Sequence, residues 1–270
     1  RNQKRHSIQE VQRETMYSRL DQLRQQYRSS EHLILSFPRC GRTWMKLLLG
    51  HYISHRDGTP FTKRLEKKGI LFRHDYMSSA GLIPWPALFK LMDEKQFYFH
   101  KEMKNQRIVY LFRNPLDVLF SYWAYLKANS YHNFDPTPIR KHEGIVDFAK
   151  ENYWGLDRII NFMNMQLDHH DKNNNPKIAV KYERFKQDDS EWQRLIKFVL
   201  GDFQESSFVF AKQQTEFEKL QNAGVKHKDS DLNFFRKGKS DYVQELSKSD
   251  RGVLTDWTGL AELNERLAQI

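Results

Sequence analysis

Apolar positions in this chain follow two spacings. Leu33 to Lys46 reads LILSFPRCGRTWMK, a short apolar run that stops at a Pro-Arg-Cys-Gly turn and restarts as an amphipathic pattern. That predicts strand, loop and helix in succession. Arg107 to Lys127 repeats the arrangement as RIVYLFRNPLDVLFSYWAYLK. Ile108, Val109, Leu111 and Phe112 form a nearly continuous apolar run, the mark of a strand buried on both faces of a parallel sheet. Pro115 suits the first turn of a helix, and Leu116, Leu119, Phe120 and Trp123 recur at helical steps along one face.

Weaker signals fill the rest. Met16, Leu20, Leu23 and Tyr27 predict an amino-terminal helix, residues 70–72 a short strand and residues 84–99 an aromatic-rich helix. Helix is expected over 154–167 and strand over 177–182, with DHHDKNNNP (168–176) as a polar surface loop between them. Trp192, Leu195, Ile196 and Val199 mark another helix, and Val253, Trp257, Leu260 and Leu267 a single last one. No internal repeat and no Ser/Gly/Pro-rich linker interrupts this alternation. The expected fold is one P-loop-like α/β domain over 1–270, with a helical segment at 1–30 and an α/β core at 31–270 whose central, mostly parallel sheet is flanked by helices.

Composition narrows the function classes. The net charge is +10 over 270 residues, which suits an anionic cofactor, nucleic acid, an acidic glycan or an anionic membrane surface alike. An aromatic share of 14% suits a pocket with aromatic walls. The single Cys excludes an intramolecular disulfide, which favours a cytoplasmic chain. No window reaches the ~18 consecutive apolar residues of a membrane helix, and no signal peptide is visible. The chain starts at Arg1 and not at Met, so an upstream piece stays open, as does the oligomeric state.

Candidate chemistry gathers in three basic segments. N–H groups at a helix start form a ready anion site, and in the first loop Gly41 admits close backbone approach, Thr43 adds a hydroxyl and Arg39 a charged fork. A plain strand-to-helix turn is the alternative. The loop lacks the second glycine and the Gly-Lys-Ser/Thr ending of a Walker A sequence. In the second segment Arg113 stands at the strand end, and Ser121, two turns into the helix, could meet the same anion. Pairing of Arg113 with Asp117, and a Ser121 that simply solvates the helix, are the ordinary readings. The third, FRKGKSDY at 235–242, places three cations around one glycine and could equally be a solvated charge run.

Together these segments resemble the sulfotransferase superfamily that uses 3'-phosphoadenosine 5'-phosphosulfate (PAPS). That family's Tyr-Pro-Lys-Ser-Gly-Thr-Thr-Trp loop, which cradles the 5'-phosphosulfate, corresponds to Phe37, Pro38, Arg39, Cys40, Gly41, Arg42, Thr43 and Trp44. Its Arg-Asn-Pro with a Ser eight residues after the Arg corresponds to Arg113, Asn114, Pro115 and Ser121, and implies a grip on the 3'-phosphate. Its Arg-Lys-Gly corresponds to Arg236, Lys237 and Gly238, which the resemblance closes over that phosphate. Tyr182 in Lys-Tyr-Glu, and Thr215 and Phe217 in Thr-Glu-Phe, are implied to hold the adenine. Arg39 departs from the family's usual Lys, Cys40 from Ser, Arg42 from Thr and Tyr242 from Trp.

The resemblance implies transfer of a sulfuryl group from PAPS to a hydroxyl or amine of a small-molecule or saccharide acceptor, leaving adenosine 3',5'-bisphosphate. His74, after the strand residues Ile70 to Phe72, stands where superfamily members carry a general base. Phe72 occupies the place of the family's companion Lys, with Arg73 or Lys101 as stand-ins. A His-Asp pair on a surface turn is the ordinary reading of His74, and His100 is the rival base. Trp85, Phe89, Trp123, Tyr125, Tyr131 and Trp154 are candidate acceptor-pocket walls or core. No metal is expected: His51 and His55 have zinc-helix spacing without its Glu, and His169-His170 lack a nearby Cys. The alternatives are a P-loop nucleotide-dependent kinase, which should show a Mg-binding carboxylate and the Lys-Ser/Thr ending that the loop lacks, and a basic nucleic-acid-binding protein, which needs no ordered phosphate motifs.

Overall fold

The computed structural model describes residues 28–73, 105–128, 142–151, 154–222 and 242–270, together with residue 25. Its sheet has four strands, β1 (His32–Ser36), β2 (Ile70–Arg73), β3 (Arg107–Phe112) and β4 (Lys177–Lys181), in the order β2-β1-β3-β4. All three pairings are parallel. The inner strands carry the unbroken apolar runs because both of their faces are covered, and Leu33, Ile34, Leu35, Ile108, Val109 and Tyr110 are each 0% exposed.

The helices, in chain order, are α1 (Arg42–Asp57), α2 (Pro115–Ala128), α3 (Ile145–Ala149), α4 (Leu156–Lys172), α5 (Arg184–Gln187), α6 (Asp189–Leu200), α7 (Glu205–Gln214), α8 (Phe217–Asn222), α9 (Lys248–Thr255) and α10 (Leu260–Ala268). From β1 the chain crosses to β2 on one side, then returns past β1 to β3 and continues to β4 on the other. Right-handed crossovers running in opposite directions put their helices on opposite faces of the sheet. Accordingly α1 packs against α7, while α2 packs against α4. The reversal falls between β1 and β3, the switch point at whose carboxyl edge open α/β sheets hold ligands. Ser36 is in register with Leu111 there, so the loops that leave β1 and β3 start side by side.

Two expected boundaries are corrected. Residues 168–172 are helical, not loop: α4 runs on to Lys172 because His169 is buried, its Nδ1 2.5 Å from the Tyr110 hydroxyl. The Lys177 ammonium donates to the carbonyls of His170 and Asn173, placing a cation at the negative end of α4. The single last helix is two, α9 and α10. Gly259 caps the second in the left-handed region at φ 79°, and between them the Trp257 Nε1 donates to Asp157 Oδ1 at 2.6 Å. Among the described residues no helix is long and apolar enough to cross a membrane. The expected amino-terminal helix at Met16–Tyr27 and the one at 84–99 fall almost wholly outside the described residues. A cavity of about 1010 Å³ opens at the far, amino-terminal edge of the sheet, beside His32, Ile70 and Arg107, away from the motif loops.

Candidate active site

The loop after β1 turns through two left-handed residues, Arg39 at φ 71° and Gly41 at φ 96°. Only glycine fits at position 41. A Cβ built there would lie 2.2 Å from Cδ2 of Tyr182, so the bare backbone lets that ring lie against the loop. α1 begins at Arg42 without a side-chain cap and with no acid in its first turn. Its first internal bond runs from Met45 N to Gly41 O at 3.1 Å. The preceding amides and the positive end of the helix dipole therefore face the loop, the arrangement that attracts an anion. Cys40 turns inward at 0% exposure, and burial pushes its thiol up to about 12 against the pull of Arg113. Contact between Cys40 and a ligand would come from its backbone.

The second motif closes on the first. Arg39 Nε donates to Ser121 Oγ at 3.0 Å, and Arg113 Nη1 donates to the Arg39 carbonyl at 3.0 Å. Side chain and backbone of Arg39 are thus both held from the β3–α2 unit. Asn114 builds that unit: its Oδ1 accepts from Leu116 N at 2.9 Å and Asp117 N at 3.3 Å, capping α2 ahead of Pro115, while its own N–H donates to Glu183 at 2.8 Å. Arg113 stays next to the sheet because its guanidinium also lies 4.6 Å from the Tyr182 ring centroid. The carboxylate of Asp117 accepts from Tyr242 N at 3.2 Å, and the Tyr242 ring stacks on Phe120 at 5.8 Å. The residue that ends the third motif is therefore anchored on α2, whereas Arg236, Lys237 and Gly238 lie outside the described residues.

Candidate adenine contacts meet the same loop from the other side. Tyr182 follows β4, is fixed by its N–H to Phe112 O at 2.9 Å, and sits edge-on to Trp44 with centroids 5.7 Å apart. Burial raises its phenol above the usual range. Trp44 Nε1 donates to the Thr215 carbonyl at 3.1 Å. The Thr215 hydroxyl is spent on Ala211 O at 2.8 Å, ending α7, and Phe217 opens α8 two residues on. Trp192 packs edge-on to Trp44 at 5.1 Å, a support that the sequence marked only as a helix position.

Of the acceptor-wall candidates, Trp154 is buried beside Tyr122, Trp123 stacks on Phe148, and Tyr125 lies beneath Arg39, whose Cζ is 4.9 Å from the ring centroid. Trp85, Phe89 and Tyr131 fall outside the described residues, as do His74, His100 and Lys101. β2 ends at Arg73, in register with Leu35. His51 stacks on Phe61 at 4.0 Å, and His55 meets the Ser207 hydroxyl at 2.9 Å. Their helical spacing serves packing of α1 against α7. Among the described residues no cluster of three His, Cys, Asp or Glu could hold a metal ion.

Residues 29–267 match the sulfotransferase domain family. The chain belongs to that family. This sulfotransferase resembles, in fold, the solved structure of mouse sulfotransferase SULT7A1 complexed with PAP, with a TM-score of 0.52, 18% identity, and 90% of each chain covered. A retinol dehydratase in complex with androsterone and inactive cofactor PAP aligns with a TM-score of 0.49 and 12% identity over 88% of this chain and 79% of the other. No curated protein sequence matches the chain significantly.

Proposed function

We propose that this sulfotransferase moves the sulfuryl group of PAPS to a hydroxyl or amine of a small-molecule or saccharide acceptor, and that the donor binds where the loops after β1 and β3 meet. One observation carries the reading: Arg39 is bonded to Ser121 through its side chain and to Arg113 through its backbone, which joins two separate basic motifs into one cationic cluster at the uncapped start of α1. Two cationic motifs side by side suit a ligand that carries two phosphate groups. The complex of the mouse relative with PAP, the bisphosphate that remains after transfer, supports the same assignment.

Each group then has a role. The amides of Gly41 to Trp44 and the Arg39 guanidinium hold the 5'-phosphosulfate. Arg113, Ser121 and the Arg236–Lys237–Gly238 segment hold the 3'-phosphate, and Trp44, Tyr182, Thr215 and Phe217 enclose the adenine. His74 takes the acceptor proton as the acceptor oxygen or nitrogen bonds to sulfur. The bond from sulfur to the 5'-phosphate oxygen breaks in the same in-line displacement, and its electron pair leaves on the phosphate. Arg39 meets that developing charge with a fixed cation. A guanidinium does not deprotonate in proteins, so it stabilises the leaving group without donating a proton. The single Cys, which allows no intramolecular disulfide, favours a reducing, cytoplasmic compartment.

The test is transfer of radiolabelled sulfur from PAPS across a panel of phenols, sterols, amines and saccharides, run with and without excess EDTA. The reading expects labelled product from at least one class, undiminished by the chelator. Loss of turnover in EDTA with restoration by magnesium would favour a metal-dependent phosphoryl transferase instead.

A further inference from the structure

An arginine at the phosphosulfate raises a problem that a lysine does not. Its charge is spread over a planar head, so direction and tilt both affect where the donors point. The head is borne here by a loop residue in the left-handed region, at φ 71°. Two contacts reach it from one face of α2. Ser121 Oγ accepts from Nε at 3.0 Å, and the guanidinium carbon lies over the Tyr125 ring, with Cζ 4.9 Å from the centroid. Ser121 and Tyr125 are four residues apart on the helix, so they stack one turn above the other.

We propose that Tyr125 is a positioning residue for sulfuryl transfer, its ring forming a platform that fixes the tilt of the Arg39 guanidinium while Ser121 fixes its direction. The proposal rests on the reading of Arg39 given above. Tyr125 acts through its ring and not as an acid or base. Burial pushes its phenol up to about 12, outweighing the pull of Arg39 and Arg42, so the hydroxyl stays protonated wherever the enzyme works. The alternative role, a wall of the acceptor pocket, would show in acceptor KM.

Steady-state kinetics of Tyr125→Phe, Tyr125→Leu and Arg39→Ala, with the Tyr125→Leu/Arg39→Ala double variant, test the proposal. Tyr125→Phe keeps most of kcat. Tyr125→Leu lowers kcat about tenfold, the scale of a desolvated cation–π contact, with acceptor KM little changed. In the Arg39→Ala background the same change costs nothing further, because no guanidinium remains to orient. Should Tyr125→Leu fold poorly, Tyr125→Phe with one, two or three ring fluorines keeps the shape while draining the ring face, and kcat falls stepwise. A flat fluorine series, a change confined to acceptor KM, or an undiminished penalty beside Arg39→Ala overturns the positioning role. Full activity of Arg39→Ala would instead sink the reading of Arg39, whatever Tyr125 does.

Discussion

Replacing Gly41 by Ala tests how closely the phosphate loop is built against the adenine side of the site. Two penalties are separable. At φ 96° an L-residue pays about 1–2 kcal/mol for the left-handed backbone. The new Cβ, 2.2 Å from Tyr182 Cδ2, is more than an ångström inside contact distance, so the ring must move. Moving it weakens the Arg113 contact at 4.6 Å, of about 0.5–2 kcal/mol, and the Trp44 edge contact at 5.7 Å, of about 0.5–1.5 kcal/mol. The expected loss is about 2–5 kcal/mol, which lowers Tm by about 5–15 °C at this size. Calorimetric titration with adenosine 3',5'-bisphosphate should show weakened binding in the same variant, since ring and Arg113 move together. The Tyr182→Ala background separates the terms: it removes the steric part and leaves the backbone part, a coupling of more than ~0.5 kcal/mol. Unchanged Tm and unchanged affinity in Gly41→Ala would refute the close fit of loop and ring.

Three other expectations follow from the same site. His74→Ala should lower kcat by roughly 10² to 10⁴, the contribution of a positioned base, while bisphosphate affinity stays near normal; normal turnover in His74→Ala beside a dead His100→Ala would move the base to His100. Cys40, neutral in the fold up to about 12 against 9.0 when unfolded, should resist iodoacetamide at pH 8 in the native enzyme and react once it is denatured. Because its folded value is the raised one, its contribution to stability is intact below pH 9 and is lost as pH rises from there toward 12, which denaturant titrations across that range would read.

The parts legible in the sequence were those written locally. Parallel inner strands announce themselves as unbroken apolar runs, so β1 and β3 and the helices after them were readable, and with them the two motif loops. α7 was not. Its residues Phe208, Val209 and Phe210 are adjacent, with Phe208 in the core, Val209 44% exposed and Phe210 stacked on His55, so no single apolar stripe marks the helix. The last turn of α4 reads as polar loop because what holds His169 in place is Tyr110, far away in the chain on β3. The same limit applies at the site. Helical spacing gave the height of Ser121 along α2, but its bond to Arg39 joins residues 82 apart in the chain, and only the sheet order brings them together. Tyr125 read as a pocket wall or as core, since nothing in its own neighbourhood shows the cation that lies over it.

The central claim, that the junction of the β1 and β3 loops is a site for a 3',5'-phosphorylated adenosine, is tested most directly by isothermal titration of adenosine 3',5'-bisphosphate and of AMP into the wild-type enzyme and Arg113→Ala. The account predicts that the bisphosphate binds the wild type far more tightly than AMP, and that Arg113→Ala weakens the bisphosphate much more than AMP, losing about 10- to 150-fold of that preference, the scale of one charge-assisted hydrogen bond. Equal affinity of the wild type for the two nucleotides would contradict it.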